Sequence, residues 1–423
     1  MRHPLPKSLV PIAGRSIIGH VAAALRSAGV RNMVAIVSPG QSGLRAELRA
    51  SAPNAICAEQ AQPLGTAKAM MCGRQARRAK RGRALMVFGD TPLLTARSLR
   101  ALMRARTPLA ILGFTARDLS HPYGRIEVRD GFATRIIEYQ NASAAERQLA
   151  LCNGGAMMCE EAWLERLLPK ITNRNRQGEY LLPDIVELAH AQGAATGIIA
   201  ADEDEVMGVD SLVGLAKAER LMQQRLRAAA LADGIYMPAP EHVHFSWDTV
   251  WQGPAQIDPY VVLGPKVRIG RGCHIKSFCH IEGTVLEADA SVGPFARLRP
   301  QSRVGKAARV GNFVEIKAAT LGANAKASHL TYLGDAAIGA DSNIGAGTIT
   351  CNYDGERKHK TRIGKRVFVG SNSALVAPVT LGDGSTLGAG TVARRSVPKD
   401  ALLLTRAPER VIPDWKPRRT PRK

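Results

Sequence analysis

Val292-Gly293-Pro294-Phe295-Ala296-Arg297-Leu298-Arg299-Pro300-Gln301-Ser302-Arg303-Val304-Gly305-Lys306-Ala307-Ala308-Arg309-Val310 returns an aliphatic residue at every sixth position, and Ile316 continues the series. Ile363, Val369, Leu375, Leu381 and Leu387 keep the same beat. Leu321, Ala327, Leu333, Ile338 and Ile344 carry it across the interval with an occasional step of five, so the pattern runs from about Val262 to about Thr391. Six residues is too long for a strand pleat and incommensurate with a helical turn. It suits one flat side of a triangular parallel β-solenoid, where each aliphatic residue stacks inside on its counterpart one coil away. A small residue often follows the aliphatic one, as in Gly293, Gly305, Gly345 and Gly388. These positions are expected at corners, where a side chain would crowd the next coil.

The 423 residues suffice for two or three domains, and a hydrophobic content of 45% excludes wholesale disorder. No apolar run approaches a membrane span and the first twenty residues lack a signal-peptide core, so no membrane association is expected. The seven cysteines (Cys57, Cys72, Cys152, Cys159, Cys273, Cys279 and Cys351) form no CxxC pair and no metal spacing. A reduced, cytoplasmic setting is the expectation, with Cys273 and Cys279 one coil apart as small packing residues. The formal charge of +22 raises nucleic-acid binding. The basic residues are scattered, however, apart from clusters at residues 74–83 and 416–423. Aromatic content of 4% also offers few stacking platforms. A basic surface attracting anionic nucleotides is the better expectation.

Residues 1–210 alternate strand-like and helical stretches, the rhythm of an α/β sheet domain. Residues 34–37 and 85–88 read as buried parallel strands, and residues 17–28 and 98–104 as helices. Residues 211–234 read as one linker helix, with an apolar stripe at Leu212, Leu215, Ala218, Met222 and Leu226 and a stop at Gly234. The solenoid occupies 235–406. Pro408, Pro413, Pro417 and Pro421 mark a basic tail at 407–423.

Phe88-Gly89-Asp90 is expected to end a buried strand, placing Asp90 at the carboxyl edge of the sheet, where open α/β folds bind ligands. Asp90 there can hold a Mg²⁺ bridging nucleotide phosphates, or simply cap the turn. Near it stand Gln60, Leu64-Gly65-Thr66, Tyr123-Gly124-Arg125, Glu138 and Asn153-Gly154-Gly155. The glycine turns admit close approach of backbone amides, and Asn and Glu suit a sugar's hydroxyls.

In the solenoid, Ser328-His329-Leu330-Thr331-Tyr332-Leu333-Gly334-Asp335 is the sharpest motif. His329 lies two positions past the inward Ala327, so it faces outward beside Tyr332. An imidazole titrates near neutrality and suits a general base that deprotonates an amine attacking a thioester. Arg299 and Lys317 supply two cations for a sugar phosphate. Asn343, Asn352 and Tyr353 add donors, and residues 351–360 break the beat as an extruded loop would.

The N-terminal set resembles the sugar nucleotidyltransferases. Joined to the solenoid, it resembles the bifunctional family that fuses a uridylyltransferase to a glucosamine-1-phosphate acetyltransferase in UDP-N-acetylglucosamine synthesis, from about residue 4 to 408. The resemblance implies a Rossmann-like nucleotidyltransferase domain, a linker helix and a left-handed parallel β-helix of hexapeptide repeats. It also implies a homotrimer with active sites between subunits, Mg²⁺, and acetyl-CoA and UTP as co-substrates. For UTP and the sugar nucleotide it implies Lys7, Gln60, Gly65, Thr66, Phe88, Gly89, Asp90, Gly124, Glu138, Asn153 and Asp210. Asp90 and Asp210 would be the metal ligands. His329 matches the catalytic base. Arg299, Lys317, Tyr332 and Asn343 match ligands of glucosamine-1-phosphate, and Ala346, Asn352, Tyr353, Ser371, Ala389 and Arg406 match ligands of acetyl-CoA.

Two departures stand out. The family's second metal ligand is an asparagine after Gly-Val, whereas Gly208-Val209 leads here to Asp210, which also fits as N-cap of the linker helix. The family opens with an apolar strand and a glycine-rich phosphate loop, and Met1 aligns with the last residue of that motif. Loss of this central strand is expected to leave two unpaired edges and little uridylyl transfer in the 423 residues. The rival readings are a monofunctional acetyltransferase on a degenerate scaffold domain, and a non-catalytic regulatory or nucleic-acid-binding solenoid.

Overall fold

The computed structural model describes residues 3–77, 81–406, 408–413 and 415. Residues 78–80 of the first basic cluster, and the whole of the cluster at 416–423, lie outside the described residues. The chain divides into two compact units, 1–222 and 223–423.

In the first unit a six-stranded mixed sheet runs in the order Arg83–Met86, Leu151–Glu160, Leu109–Thr115, Thr196–Ala200, Phe132–Ile137, Arg125–Arg129. Leu109–Thr115 is buried on both faces along its first six residues, as a central strand requires. It pairs parallel with Thr196–Ala200 and antiparallel with Leu151–Glu160. Two strand readings change. The strand expected at 85–88 is Arg83–Met86, and it runs antiparallel to Leu151–Glu160. An apolar run encodes burial but not the direction of its neighbour. Phe88 therefore lies beyond the strand end, 40% exposed, and Gly89-Asp90 follow in a turn. Val34–Val37 does pair in parallel, with Ile56–Glu59, but in a separate two-stranded sheet. Among the described residues, Val34–Val37 and Arg83–Met86 each have a strand partner on one side only.

The expected helices are Ile17–Ser27 and Ala96–Met103, started by Ser16 and Thr95, whose hydroxyls accept from the Gly19 and Ser98 amides. The long helix is Leu212–Ala232. Its N-terminal hydroxyl is that of Ser211, which accepts the Gly214 amide at 3.0 Å, so Asp210 is not the cap. The boundary between units falls inside this helix. Leu215, Ala218 and Met222 pack with Val10, Ile12, Ile17 and Leu93, whereas Leu226 and Ala230 join the core of the second unit.

The second unit is a parallel β-helix with three sheets of ten, nine and eight strands. Val292 pairs with Val310, Val310 with Ala327 and Ala327 with Ile344, so one coil takes 18 or 17 residues. These inward residues are at most 2% exposed. Each such Val or Leu contributes about 1.5–3 kcal/mol of burial. The strands reach from Ile235–Tyr236 to Leu402–Leu403, wider than the sequence period suggested. Val262 points outward between buried Val261 and Leu263. Cys273 and Cys279 are both buried, but they are one side apart rather than one coil apart, because six residues make a side. The corner glycines are as expected: a Cβ on Gly305 would lie 2.7 Å from the Gly322 carbonyl carbon, and one on Gly345 2.6 Å from the Ser371 amide nitrogen.

Two departures from plain repetition matter. Ile338 pairs with Ile363 and Ile344 with Val369, 25 residues on, so one coil carries an extra loop. The loop is self-structured: the Asp354 carboxylate accepts from the Glu356 and Arg357 amides and pairs with His359 Nε2 at 2.6 Å. On another corner Tyr260, Phe278, Phe295 and Phe313 stack ring on ring, with centroids 4.8–5.2 Å apart. All four have left-handed φ, at 55–63°, and are 45–56% exposed. Leu330 continues the column at φ 48° and 63% exposed.

Arg125 is the largest fully buried side chain of the first unit. Its guanidinium donates to the carbonyls of Leu119, Tyr123, His121 and Arg147 at 2.6–3.2 Å. It braces the loop before its own strand and is not a site residue, although sequence reading placed it near the site. Arg125→Ala strands these carbonyls in the core. It should cost about 3 kcal/mol or more, read as a lower urea midpoint with the second unit's far-UV signal retained.

Candidate functional site

His329 ends the strand Lys326–His329, where the chain turns a corner into the left-handed Leu330, and is exposed as expected. Its backbone carbonyl accepts the Gly347 amide at 3.4 Å and the Thr331 hydroxyl at 2.6 Å. From there the corner continues coil by coil: the Asn372 amide donates to the Ala346 carbonyl at 2.7 Å and the Gly390 amide to the Ser371 carbonyl at 2.8 Å. His329, Ala346, Ser371 and Ala389 thus lie along one corner of the β-helix. Arg406 follows the next strand pairing, Leu387 with Leu403, and is exposed. An exposed imidazole at the head of a column of small residues leaves room for an elongated ligand laid along the edge.

Arg299, Lys317 and Tyr332 sit on the adjoining nine-stranded face, whereas Asn343 shares the ten-stranded face with His329. Arg299 Nη1 is 2.9 Å from Glu315 Oε1. The Lys317 ammonium is held below the usual lysine value by contact with Lys358, and then by the charges of Lys358 and Arg299. Three cations therefore converge where an anion is wanted. Asn352 donates to Asp335 Oδ2 at 2.5 Å, and the Tyr353 hydroxyl donates to the Gly355 carbonyl inside the loop.

In the first unit, Lys7 Nζ lies 2.7 Å from Asp90 Oδ2 and 2.6 Å from Asp210 Oδ1. The Val209 amide donates to the Asp90 carbonyl at 3.0 Å, which ties the two acidic segments together. Burial pulls the Lys7 pKa down, but hydrogen bonds to Asp210 and Asp90 more than compensate, and it ends raised. Phe88 covers Gly155, where a Cβ would meet its ring at 2.6 Å. Gly65 adopts φ +105° against Tyr180, so only glycine fits there. Gln60 donates to the Gly65 carbonyl, and the Thr66 hydroxyl accepts the Leu182 amide. The Asn153 amide donates to the Gly124 carbonyl at 2.8 Å, and the Asn153 side chain accepts from Gly155. Glu138 is pushed up by burial and by Asp184, and Asp184 is raised to about 6 by burial and Glu187. These carboxyls line a groove with Arg135, Arg174 and Arg176. No cluster of three or more His, Cys, Asp or Glu suited to a metal occurs among the described residues.

Sequence reasoning missed Glu315, Lys358, Asp335 and Asn312 as neighbours of the second site. Their signal was the coil period itself: each lies 16–18 positions from a chosen residue or in the extruded loop. Asp184 gave no motif at all.

A nucleotidyltransferase-like α/β unit followed by a hexapeptide β-helix with an outward histidine defines a two-domain transferase. The pattern described as a MobA-like NTP transferase domain matches residues 1–150, and a hexapeptide repeat of succinyl-transferase matches residues 360–393. The chain is 45% identical to the bifunctional protein GlmU of Xanthobacter autotrophicus over 98% of this chain and 93% of that protein. It is 48% identical to that of Bradyrhizobium diazoefficiens, over 96% and 90%. The Rhodopseudomonas palustris protein is 46% identical, over 98% and 92%. The chain belongs to the GlmU family of bifunctional enzymes, which joins glucosamine-1-phosphate acetyl transfer to uridylyl transfer. A monofunctional acetyltransferase on a degenerate scaffold is not favoured, since the likeness spans both units, and the expectation of little uridylyl transfer is not favoured with it.

A carboxyl whose folded pKa is raised stabilises fully below its unfolded pKa and loses that contribution as pH rises through the folded value. Asp184, at about 6, therefore costs stability at pH 8 and not at pH 3. Asp184→Asn should raise the melting midpoint at pH 8 by about 1 kcal/mol equivalent, after solvent screening and the lost attraction to its helix N-terminus. At pH 3 the midpoint should match the parent, both read by calorimetry.

Proposed function

We propose that His329 is the general base of acetyl transfer and that Lys7, Asp90 and Asp210 form the charged centre of uridylyl transfer. The observation that supports the first assignment best is the corner column running from His329 through Ala346 and Ser371 to Ala389. Acetyl-CoA lies along this column with Asn352, Tyr353 and Arg406, and its thioester faces the imidazole. Glucosamine-1-phosphate sets its phosphate on Arg299 and Lys317, with Tyr332 and Asn343 on the sugar. Its amine attacks the thioester carbonyl carbon and passes a proton to His329. The carbon–sulfur bond breaks, and coenzyme A leaves as a thiol once protonated.

In the first unit, Gln60, Gly65, Thr66, Phe88 and Gly89 surround the nucleotide, and Gly124, Glu138 and Asn153 read the sugar. Asp90 and Asp210 offer hard oxygen donors that already accept a cation, the Lys7 ammonium, at 2.6–2.7 Å. That donor set fits Mg²⁺, which Asp90 and Asp210 would hold. When bound, the ion would supply positive charge to offset the negative charge developing on the leaving pyrophosphate.

The two assignments separate cleanly. His329→Ala should lower acetyl transfer kcat by roughly 10²–10⁴-fold and leave Mg²⁺-dependent UDP-N-acetylglucosamine formation intact. Asp90→Asn should do the reverse. Near-parental acetyl transfer in His329→Ala would remove the base from this account.

Self-association is the second part of the reading. The stacked ring column ends at Phe313 and Leu330, one residue from Asn312 and His329, and exposed apolar stripes of this kind mark contact surfaces. We infer a homotrimer whose neighbouring subunits wall the acetyl-transfer groove. Light scattering should give three times the 45.3 kDa chain mass. A fully active monomer would overturn it.

A further inference from the structure

Asn312 and His329 are register partners in adjacent coils, at the ends of the parallel strands Arg309–Asn312 and Lys326–His329. Register partners in a parallel sheet project to the same side. The two residues are linked twice. The Leu330 amide donates to the Asn312 carbonyl at 3.1 Å, and His329 Nδ1 lies 2.6 Å from Asn312 Oδ1. Gly311 makes the approach possible, since a Cβ there would overlap the Ser328 carbonyl of the next coil.

An amide oxygen has only lone pairs to offer, so the imidazole nitrogen facing it must carry the proton. With Nδ1 protonated, the neutral ring bears its lone pair on Nε2. The partner of one ring nitrogen thus decides which nitrogen is the base. From this geometry we propose that Asn312 is the positioning residue of the acetyl-transfer site, holding His329 as the Nδ1–H tautomer with Nε2 free to take the amine proton. The inference rests on His329 being the base. Asn312 exchanges no proton in the step. It accepts from Nδ1–H before transfer and after it, when Nε2 also carries a proton. A neutral amide does this without the charge that a carboxylate partner would bring, so the ring is oriented without being pre-protonated. The charged residues of the two strands, Arg309 and Lys326, stand at the far strand ends, three residues away from the pair.

The test uses the full chain with three variants and two readouts. In Asn312→Ala both tautomers become populated and the ring loses its orientation. kcat for acetyl transfer should fall roughly 10- to 100-fold, less than the roughly 10²–10⁴-fold carried by the base itself, with KM for both substrates within about twofold of the parent. In Asn312→Asp the acceptor is kept and a charge added. The acidic limb of the kcat/KM profile should move to higher pH, with turnover above that limb largely restored. In Asn312→Leu, which fills the volume without an acceptor, the loss should equal that of alanine. Selective ¹⁵N-histidine labelling of the substrate-free protein should show His329 as the Nδ1–H tautomer in the parent and a mixture in Asn312→Ala. Parental turnover in Asn312→Ala, an unmoved acidic limb in Asn312→Asp, or an Nε2–H ring in the parent would each overturn the proposal. Loss of activity in His329→Ala but not in Asn312→Ala would sink this inference and leave the assignment of the base standing. Full activity in both would sink the two together.

Discussion

The second unit depends on one constraint, the hydrogen-bonded register between successive coils. Each coil offers its outward edge to the next, so no coil is stable without a neighbour. The inward aliphatic residue must return at the same place on every side, and glycine must stand where backbones cross below the contact distance of a Cβ. Once 17 or 18 residues close a coil, every outward position acquires a fixed neighbour above and below. The alignment of Asn312 with His329, Glu315 with Tyr332, and the corner from Ala346 to Ala389 are consequences of that spacing rather than separate achievements of folding.

The repeat is broken where chemistry needs reach. The coil carrying residues 351–360 is lengthened by a loop, and its carboxylate at Asp354 is held well below the ordinary carboxylate range by the Arg357 amide, His359 and the Glu356 amide. That internal bonding gives the loop a shape of its own while its ends stay pinned to the sheet. The stacked rings are the opposite case. Bulky residues in left-handed backbone are costly, and ring stacking at 4.8–5.2 Å offsets part of that cost.

The first unit solves a different problem, concentrating charge. Two carboxylates brought together by the Asp90–Val209 backbone link repel each other, and Lys7 between them relieves the repulsion. Asp210 reaches the same ammonium as Asp90, so Lys7 is held by two carboxylates. The buried Arg125 follows a contrary logic. It is compensated by backbone carbonyls, so its charge braces the fold and reaches no ligand.

The six-residue period, the corner glycines and the outward placement of His329 were legible from the sequence alone, because a solenoid repeats one local rule and period alone decides which way a residue faces. The Leu212–Ala232 helix was legible for the same reason, through its single apolar stripe. Strand direction in the mixed sheet was not, since an apolar run such as Ala84-Leu85-Met86 buries equally well beside a parallel or an antiparallel neighbour. Nor was the cap: Ser211 and Asp210 are both good cap residues, and only the observed hydrogen bond separates them. The pairing of Asn312 with the histidine needed the coil length of 17 at that point, where the preceding coil takes 18. A one-residue difference in a loop is invisible in composition, yet it decides which side chain meets which, because side-chain direction alternates with every residue along a strand.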